Sequence, residues 1–324
     1  VATIQDVAAH AGVSTATVSR VMNGAKVSED LAVLVRHSAS ELKFVPNRTA
    51  RSLRRQNSEV IALIIPDIEN PFFTSLARGV EDRAQEAGFS VVLCNTDEDV
   101  VKEERYIGVA IAENVAGVIL AAASSRSDLS RLVAQRRPVV AVDRVPHGYD
   151  VDAVTFSDAD GGAEAATSLF DRGYTRVGCI TGPEDVETAR LREEGWRRVA
   201  AERGLEGLDE LVRFADYRVN GGAQAMKELL DSPEPPDAVV VTNNLMGIGA
   251  VQTLLAAGLS LQQFGVAVFG DFPFAPLAPT GVSVVHLPAR QLGVTAADLL
   301  LKRIGGETGP GRRVVLKNEP FHRE

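Results

Sequence analysis

Apolar positions recur at helical spacing over the first part of the chain, then give way to continuous apolar runs separated by amphipathic stretches. Ile4, Val7, Ala8 and Ala11 share one helical face, and Gly12 breaks the run. Thr3 is placed as N-cap with Asp6 three residues on, a weaker capping box. Ser14 can cap a second helix whose Val18 and Val21 point inward. Two short helices on a glycine turn predict a helix-turn-helix, a unit that lays its second helix in a DNA major groove. A third helix is predicted over Ser28–Leu42, with Leu31, Leu34, Val35 and Leu42 closing a small core. Ser28 can cap it, and Glu29 and Asp30 favour its first turn.

Pro46 stops that pattern, and Asn47 can cap the basic segment Arg48–Arg55, in which Leu53 is the one large apolar residue. Two turns are marginal as an isolated helix. The segment reads either as a basic linker or as a hinge that folds against a partner copy and a minor groove, with Leu53 wedged between base steps.

From Val60 onward, strand-like runs at Val60–Ile65, Phe89–Asn95, Gly117–Ala121, Val139–Asp143, Arg176–Thr181, Ala238–Thr242 and Val266–Phe269 alternate with helical stretches. The helices include Phe72–Ala87, Thr188–Arg203 and Asn244–Ala256. Apolar strands separated by helices predict parallel sheets covered on both faces. Two sheets suit this length better than one, with a crossover near Thr155–Gly162. Ligands of doubly wound folds sit beyond the carboxyl ends of strands. Asp67, Asp143, Asn243, Asn244 and Asp271 all follow such ends, so a small-molecule cleft is expected between two lobes.

Charge divides the chain in the same place. Residues 1–57 hold eight Lys/Arg against four Asp/Glu, a net of +4, within a chain of 324 residues at −9, so the remainder carries −13. A basic end on an acidic body points to a polyanion partner for that end alone. Cys94 and Cys179 fall inside strand-like runs and read as buried reduced thiols. A polar helical start, with no apolar run long enough to span a membrane, gives a cytoplasmic expectation. No G-x-S-x-G, Walker loop or H-E-x-x-H is present, and the five His are scattered, so neither enzyme, cofactor nor metal site is expected.

The ordered stretches TIQDVAAHAGVSTATVSRVMNG, PNRTARSL, PDIENPFFTSLARGVED, VDR, TARLREEGW and TNNLMGIGA resemble the lactose-repressor (LacI/GalR) family of bacterial transcription regulators over essentially the whole chain. The resemblance implies an α/β protein: a helix-turn-helix headpiece (1–46), a hinge helix and linker (47–58), and a two-lobed periplasmic-binding-protein-like body (59–324) with two doubly wound parallel sheets. Its N-lobe would comprise residues 59–155 and 287–316, and its C-lobe 156–286 and 317–324. It further implies a homodimer on a pseudo-palindromic operator, switched by a small effector. After Glu319 there is no heptad-patterned tail, which favours a dimer over a tetramer.

Site roles follow from the same resemblance. Thr15, Ala16 and Arg20 match positions that meet base edges, with Arg20 facing guanine. Ser14, Thr17, Ser19 and Asn23 match backbone-positioning residues, and Thr3 and Asn47 join that DNA-facing set. Leu53 matches the hinge wedge, flanked by Ala50 and Arg54. In the body, Asp67, Phe72, Phe73, Asp143, Thr188, Arg192, Tyr217, Asn243 and Asp271 match effector-cleft positions. Two departures bear on the ligand: Gly270 stands where sugar-binding relatives carry an Asp, and Asn244 replaces the second residue of a usual Asn-Asp. The Phe-Gly-Asp order is similar to the fructose-repressor branch, and a buried Arg192 needs an anionic or strongly hydrogen-bonding partner. The expected effector is therefore a sugar or sugar derivative, phosphorylated forms included, with a purine corepressor as the alternative. A sugar-binding transport protein would share the two lobes but not the headpiece.

Overall fold

A computed structural model describes residues 2–22, 27–44, 58–271 and 281–322, with side chains as far as Asn318. The chain divides into two compact units, Val1–Ser58 and Glu59–Glu324.

The first unit contains α1 (Ile4–His10), α2 (Thr15–Met22) and α3 (Glu29–Glu41). The capping box forms as the spacing suggests: the Asp6 amide donates to the Thr3 hydroxyl at 3.3 Å and the Thr3 amide to the Asp6 carboxylate at 2.7 Å. Ser14 starts α2 by accepting from the Thr17 amide at 3.1 Å. Gly12, at φ +62°, takes the left-handed turn between the helices that a side chain would resist. Val7, Val18 and Val35 are fully buried where the three helices meet. The inner face of α3 differs from the expected one. Ala32, Val35, Ser38 and Ala39 are buried, while Leu31 and Leu34 are 37% and 44% exposed. The small side chains at i, i+3 and i+7 let α3 approach the other helices closely, which turns the two leucines outward. Ser28 occupies the N-cap position of α3 but makes no side-chain cap bond.

The second unit is built on two six-stranded sheets. The first takes β1 (Val60–Ile65), β2 (Ser90–Asn95), β3 (Gly117–Leu120), β4 (Val139–Val142) and β5 (Asp152–Phe156), and far along the chain β11 (Arg313–Leu316). Its order is β11-β5-β4-β3-β1-β2, all parallel. The second takes β6 (Val177–Thr181), β7 (Val212–Phe214), β8 (Ala238–Val241), β9 (Gly265–Phe269), β10 (Val282–His286) and β12 (Glu319–His322), in the order β12-β10-β9-β8-β6-β7. Only β12 runs antiparallel, to β10. A chain leaving the first sheet at the carboxyl ends of its strands enters the second from that same end, so β12 must run against strands that finish there.

Between the strands lie α4 (Pro71–Glu86), α5 (Val100–Ala112), α6 (Ser130–Ala134), α7 (Asp158–Phe170), α8 (Glu187–Glu202), α9 (Val219–Leu230), α10 (Asn244–Ala256) and α11 (Ala289–Ile304). The chain crosses between sheets three times, after β5, β10 and β11. Helices α7 and α8 approach unusually closely. A Cβ on Gly162 would lie 2.1 Å from the Arg192 carbonyl oxygen, and one on Gly195 2.0 Å from that of Ala159. That contact sets the start of α7, which carries Asp158, beside the part of α8 that carries Arg192. Cys94 and Cys179 are free and buried. No helix among the described residues is long and apolar enough to cross a membrane.

Candidate functional site

The carboxyl ends of both sheets face one narrow cleft. β1 delivers Asp67, and α4 brings Phe72 and Phe73 to it from its first turn, where Asn70 caps the helix through the Phe72 amide at 3.0 Å. β4 delivers Asp143 and Arg144. From the second lobe come Thr188 and Arg192 of α8, Tyr217, Asn243 and Asn244 at the head of α10, Phe269 and Gly270. Leu287 closes one side.

Asp143, Tyr217 and Glu98 all adopt positive φ, at +62° each. Left-handed backbone at three side-chain-bearing positions costs on the order of 1 kcal/mol apiece and marks residues aimed for a purpose. Here each places its side chain on the cleft.

Charges in the cleft are arranged in pairs. Arg192 donates from Nε to Asp158 at 2.7 Å and from Nη1 to the Thr242 carbonyl at 2.9 Å, and its guanidinium stacks 4.3 Å above the Phe269 ring. Arg144 is clamped by Glu98 through two bonds of 2.5 and 3.0 Å and lies 5.1 Å from the Tyr217 ring centre. Burial opposes the charge on Arg144, but Glu98 outweighs it and raises the pKa above its ordinary value. Asp158 is pushed up to about 6 by burial, against the pull of Arg192 and with the help of neighbouring Asp143.

Asp143 itself stands between the two arginines, 3.6 Å from Arg144 Nε and 3.9 Å from Arg192 Nη2. It is 7% exposed, and its carboxylate accepts no hydrogen bond shorter than those ion-pair contacts among the described residues. A buried carboxylate with unfilled acceptor positions is costly unless a hydrogen-bond donor reaches it.

Eight of the nine cleft positions expected from sequence thus line one space: Asp67, Phe72, Phe73, Asp143, Thr188, Arg192, Tyr217 and Asn243. Asp271 does not. Its carboxylate is turned to His286 Nδ1 at 2.7 Å outside the cleft, and Gly270 lines the space instead. The partner expected for Arg192 also differs: the protein supplies it, as Asp158. Five lining residues escaped sequence reasoning as site residues: Asn70, Glu98, Arg144, Phe269 and Leu287. Arg144 sits in the VDR stretch and was open to notice there, whereas Glu98 is aimed by a backbone turn that no pattern announces.

On the headpiece, Thr3, Ser14, Thr15, Ala16 and Arg20 are exposed, and Thr17 and Ser19 are half-buried. Asn23, Asn47, Ala50, Leu53 and Arg54 lie outside the described residues. Among the described residues no group of His, Cys, Asp and Glu is placed to hold a metal ion.

Two family models match the chain: bacterial regulatory proteins of the lacI family over residues 3–47, and periplasmic binding proteins and sugar binding domain of LacI family over residues 58–322. The ribose operon repressor of Escherichia coli K12 is 37% identical over 321 residues, 97% of each chain. Among solved structures, a complex of the transcriptional regulator CelR with cellobiose matches with a TM-score of 0.76 at 32% identity, covering 100% of this chain and 99% of that one. The lac repressor dimer bound to operator and the anti-inducer ONPF matches with a TM-score of 0.88 at 25% identity, covering 99% and 98%.

Proposed function

The chain belongs to the LacI family of bacterial regulatory proteins, DNA-binding transcription regulators rather than enzymes, and on that premise we propose that it is a cytoplasmic homodimeric repressor switched by a neutral monosaccharide in the interlobe cleft. The observation that carries the ligand class is Asp143, a buried carboxylate flanked by two guanidiniums that are already ion-paired elsewhere. Sugar hydroxyls both donate and accept, so they can fill Asp143 and meet the guanidinium edges together. Phe72, Phe73 and Phe269 supply the apolar faces on which a sugar ring packs.

Charge argues against a phosphorylated ligand. Asp67, Glu98, Asp143 and Asp158 oppose Arg144, Arg192 and Arg218, so the cleft and its immediate ion pairs hold one more carboxylate than guanidinium. The ribose operon repressor relative makes D-ribose the first sugar to try.

At the other end, α2 presents Thr15, Ala16 and Arg20 for base edges, with Ser14, Thr17 and Ser19 against phosphates. Sugar binding shifts the balance between two lobe arrangements, and the dimer passes that shift to the operator-bound headpieces.

Titration calorimetry of the full chain tests the ligand class. D-ribose is expected to bind, while D-ribose 5-phosphate binds at least tenfold more weakly or not at all. Tighter binding of the phosphate would overturn the neutral-sugar reading, and binding of hypoxanthine alone would point to a purine corepressor.

A further inference from the structure

The cleft is closed by contacts that run from one lobe directly to the other. Arg218 follows Tyr217 in the second lobe, and its Nη1 donates to the Asp67 carboxylate of the first lobe at 3.0 Å. Close by, Asn244 donates from Nδ2 to Asn70 Oδ1 at 3.1 Å. Both bonds land on the short loop Pro66–Asn70 between β1 and α4. With them in place the cleft encloses about 30 Å³, room for a water or two and far less than a monosaccharide needs.

Asp67 is the contested point in that arrangement. It is 5% exposed and lines the cleft, so a ligand would use it, yet one of its oxygens is taken by Arg218 and the other by the Glu69 amide at 2.9 Å. Because the bridge spans the two lobes at the cleft, a ligand that enters there competes with Arg218 for Asp67. We propose that Arg218 is a specificity-determining latch: its cross-lobe bridge to Asp67 holds the cleft shut, and only a ligand whose hydroxyls replace that bond on Asp67 is admitted. This rests on the cleft being the sugar site.

The exchange has a signature that simple packing lacks. Arg218 keeps about a third of its side chain in solvent, at 35% exposure, so the bridge is screened by salt. Removing a bridge of this exposure should change the balance by about fivefold at most. A neutral sugar that breaks an ion pair binds more tightly as salt rises, whereas one that leaves every ion pair intact is indifferent to salt.

The test is D-ribose calorimetry on the full-length wild type, Arg218→Gln and Arg218→Lys at 50 and 500 mM sodium chloride. Wild type should tighten severalfold at the higher salt. Arg218→Gln should bind up to about fivefold more tightly than wild type at 50 mM and lose the salt response. Arg218→Lys keeps a charge, so it should retain the salt response, which separates loss of the bridge from loss of the side chain's packing. Weaker or unchanged binding by Arg218→Gln, or a salt response equal in all three proteins, overturns the latch. Failure of the wild type to bind any sugar would instead remove the reading of the cleft on which the latch stands.

Discussion

Replacing Arg192 by Leu is expected to lower the stability of the body by about 3–5 kcal/mol, the usual cost of leaving a buried charge without its partner, and to abolish sugar binding. Arg192 is 6% exposed and Asp158 4%. Without the guanidinium, Asp158 keeps its burial and the unfavourable field of Asp143, the influences that already hold its pKa at about 6 against an ordinary 3.8. The variant should push it higher still. An acid whose folded pKa lies above its unfolded value takes up its proton more readily when folded, so the cost is full above the folded pKa and fades as pH falls toward the unfolded one. The deficit of Arg192→Leu relative to wild type should thus be largest near pH 8 and shrink toward pH 5 in urea unfolding. The double variant with Asp158→Asn should recover most of the loss. A deficit that ignores pH would mean that packing, rather than the pair, sets the cost.

Aspartate at Val18 should have an equally large effect at the opposite end. Val18 is fully buried among Val7, Val21, Val35 and a few alanines. A core this small yields roughly 3–5 kcal/mol, and an unpaired buried carboxylate costs several kcal/mol. Val18→Asp should unfold the headpiece and end operator binding. Because the body is a separate compact unit, its melting temperature and D-ribose affinity should match wild type. Operator binding retained by Val18→Asp would show that the headpiece core is not built as described.

Much of this architecture was legible in the sequence, for reasons that also explain the misses. Central strands such as Val60–Ile65, Gly117–Leu120 and Ala238–Val241 are buried on both faces, so their composition alone marks them. Five strands escaped notice: β7, β11 and β12 are short strands at sheet edges, and β5 and β10 interrupt their apolar runs with polar residues such as Asp152 and Ser283. α7 carries a Gly-Gly pair that argues against a helix until the close approach of α8 gives it a reason. The third headpiece helix misled because Leu31 and Leu34 are the larger side chains, while the alanines make the contact.

The cleft shows the same division. Residues at strand ends, such as Asp67 and Asp143, could be read from position. The direction of a side chain could not: Asp271 follows its strand as expected yet turns to His286, and Arg192 meets Asp158 from a helix 34 positions away. Pairing across lobes, as between Arg218 and Asp67, is a property of tertiary structure alone.

The most direct test of the whole account joins its two ends. A preferred site would be selected from a randomised duplex pool with the full-length protein, and its affinity measured by fluorescence anisotropy with and without saturating D-ribose. The expected result is a two-fold symmetric site whose affinity changes by about fivefold or more when the sugar is added. An unsymmetric site, or a symmetric one indifferent to a sugar that calorimetry shows bound, would contradict a sugar-switched repressor.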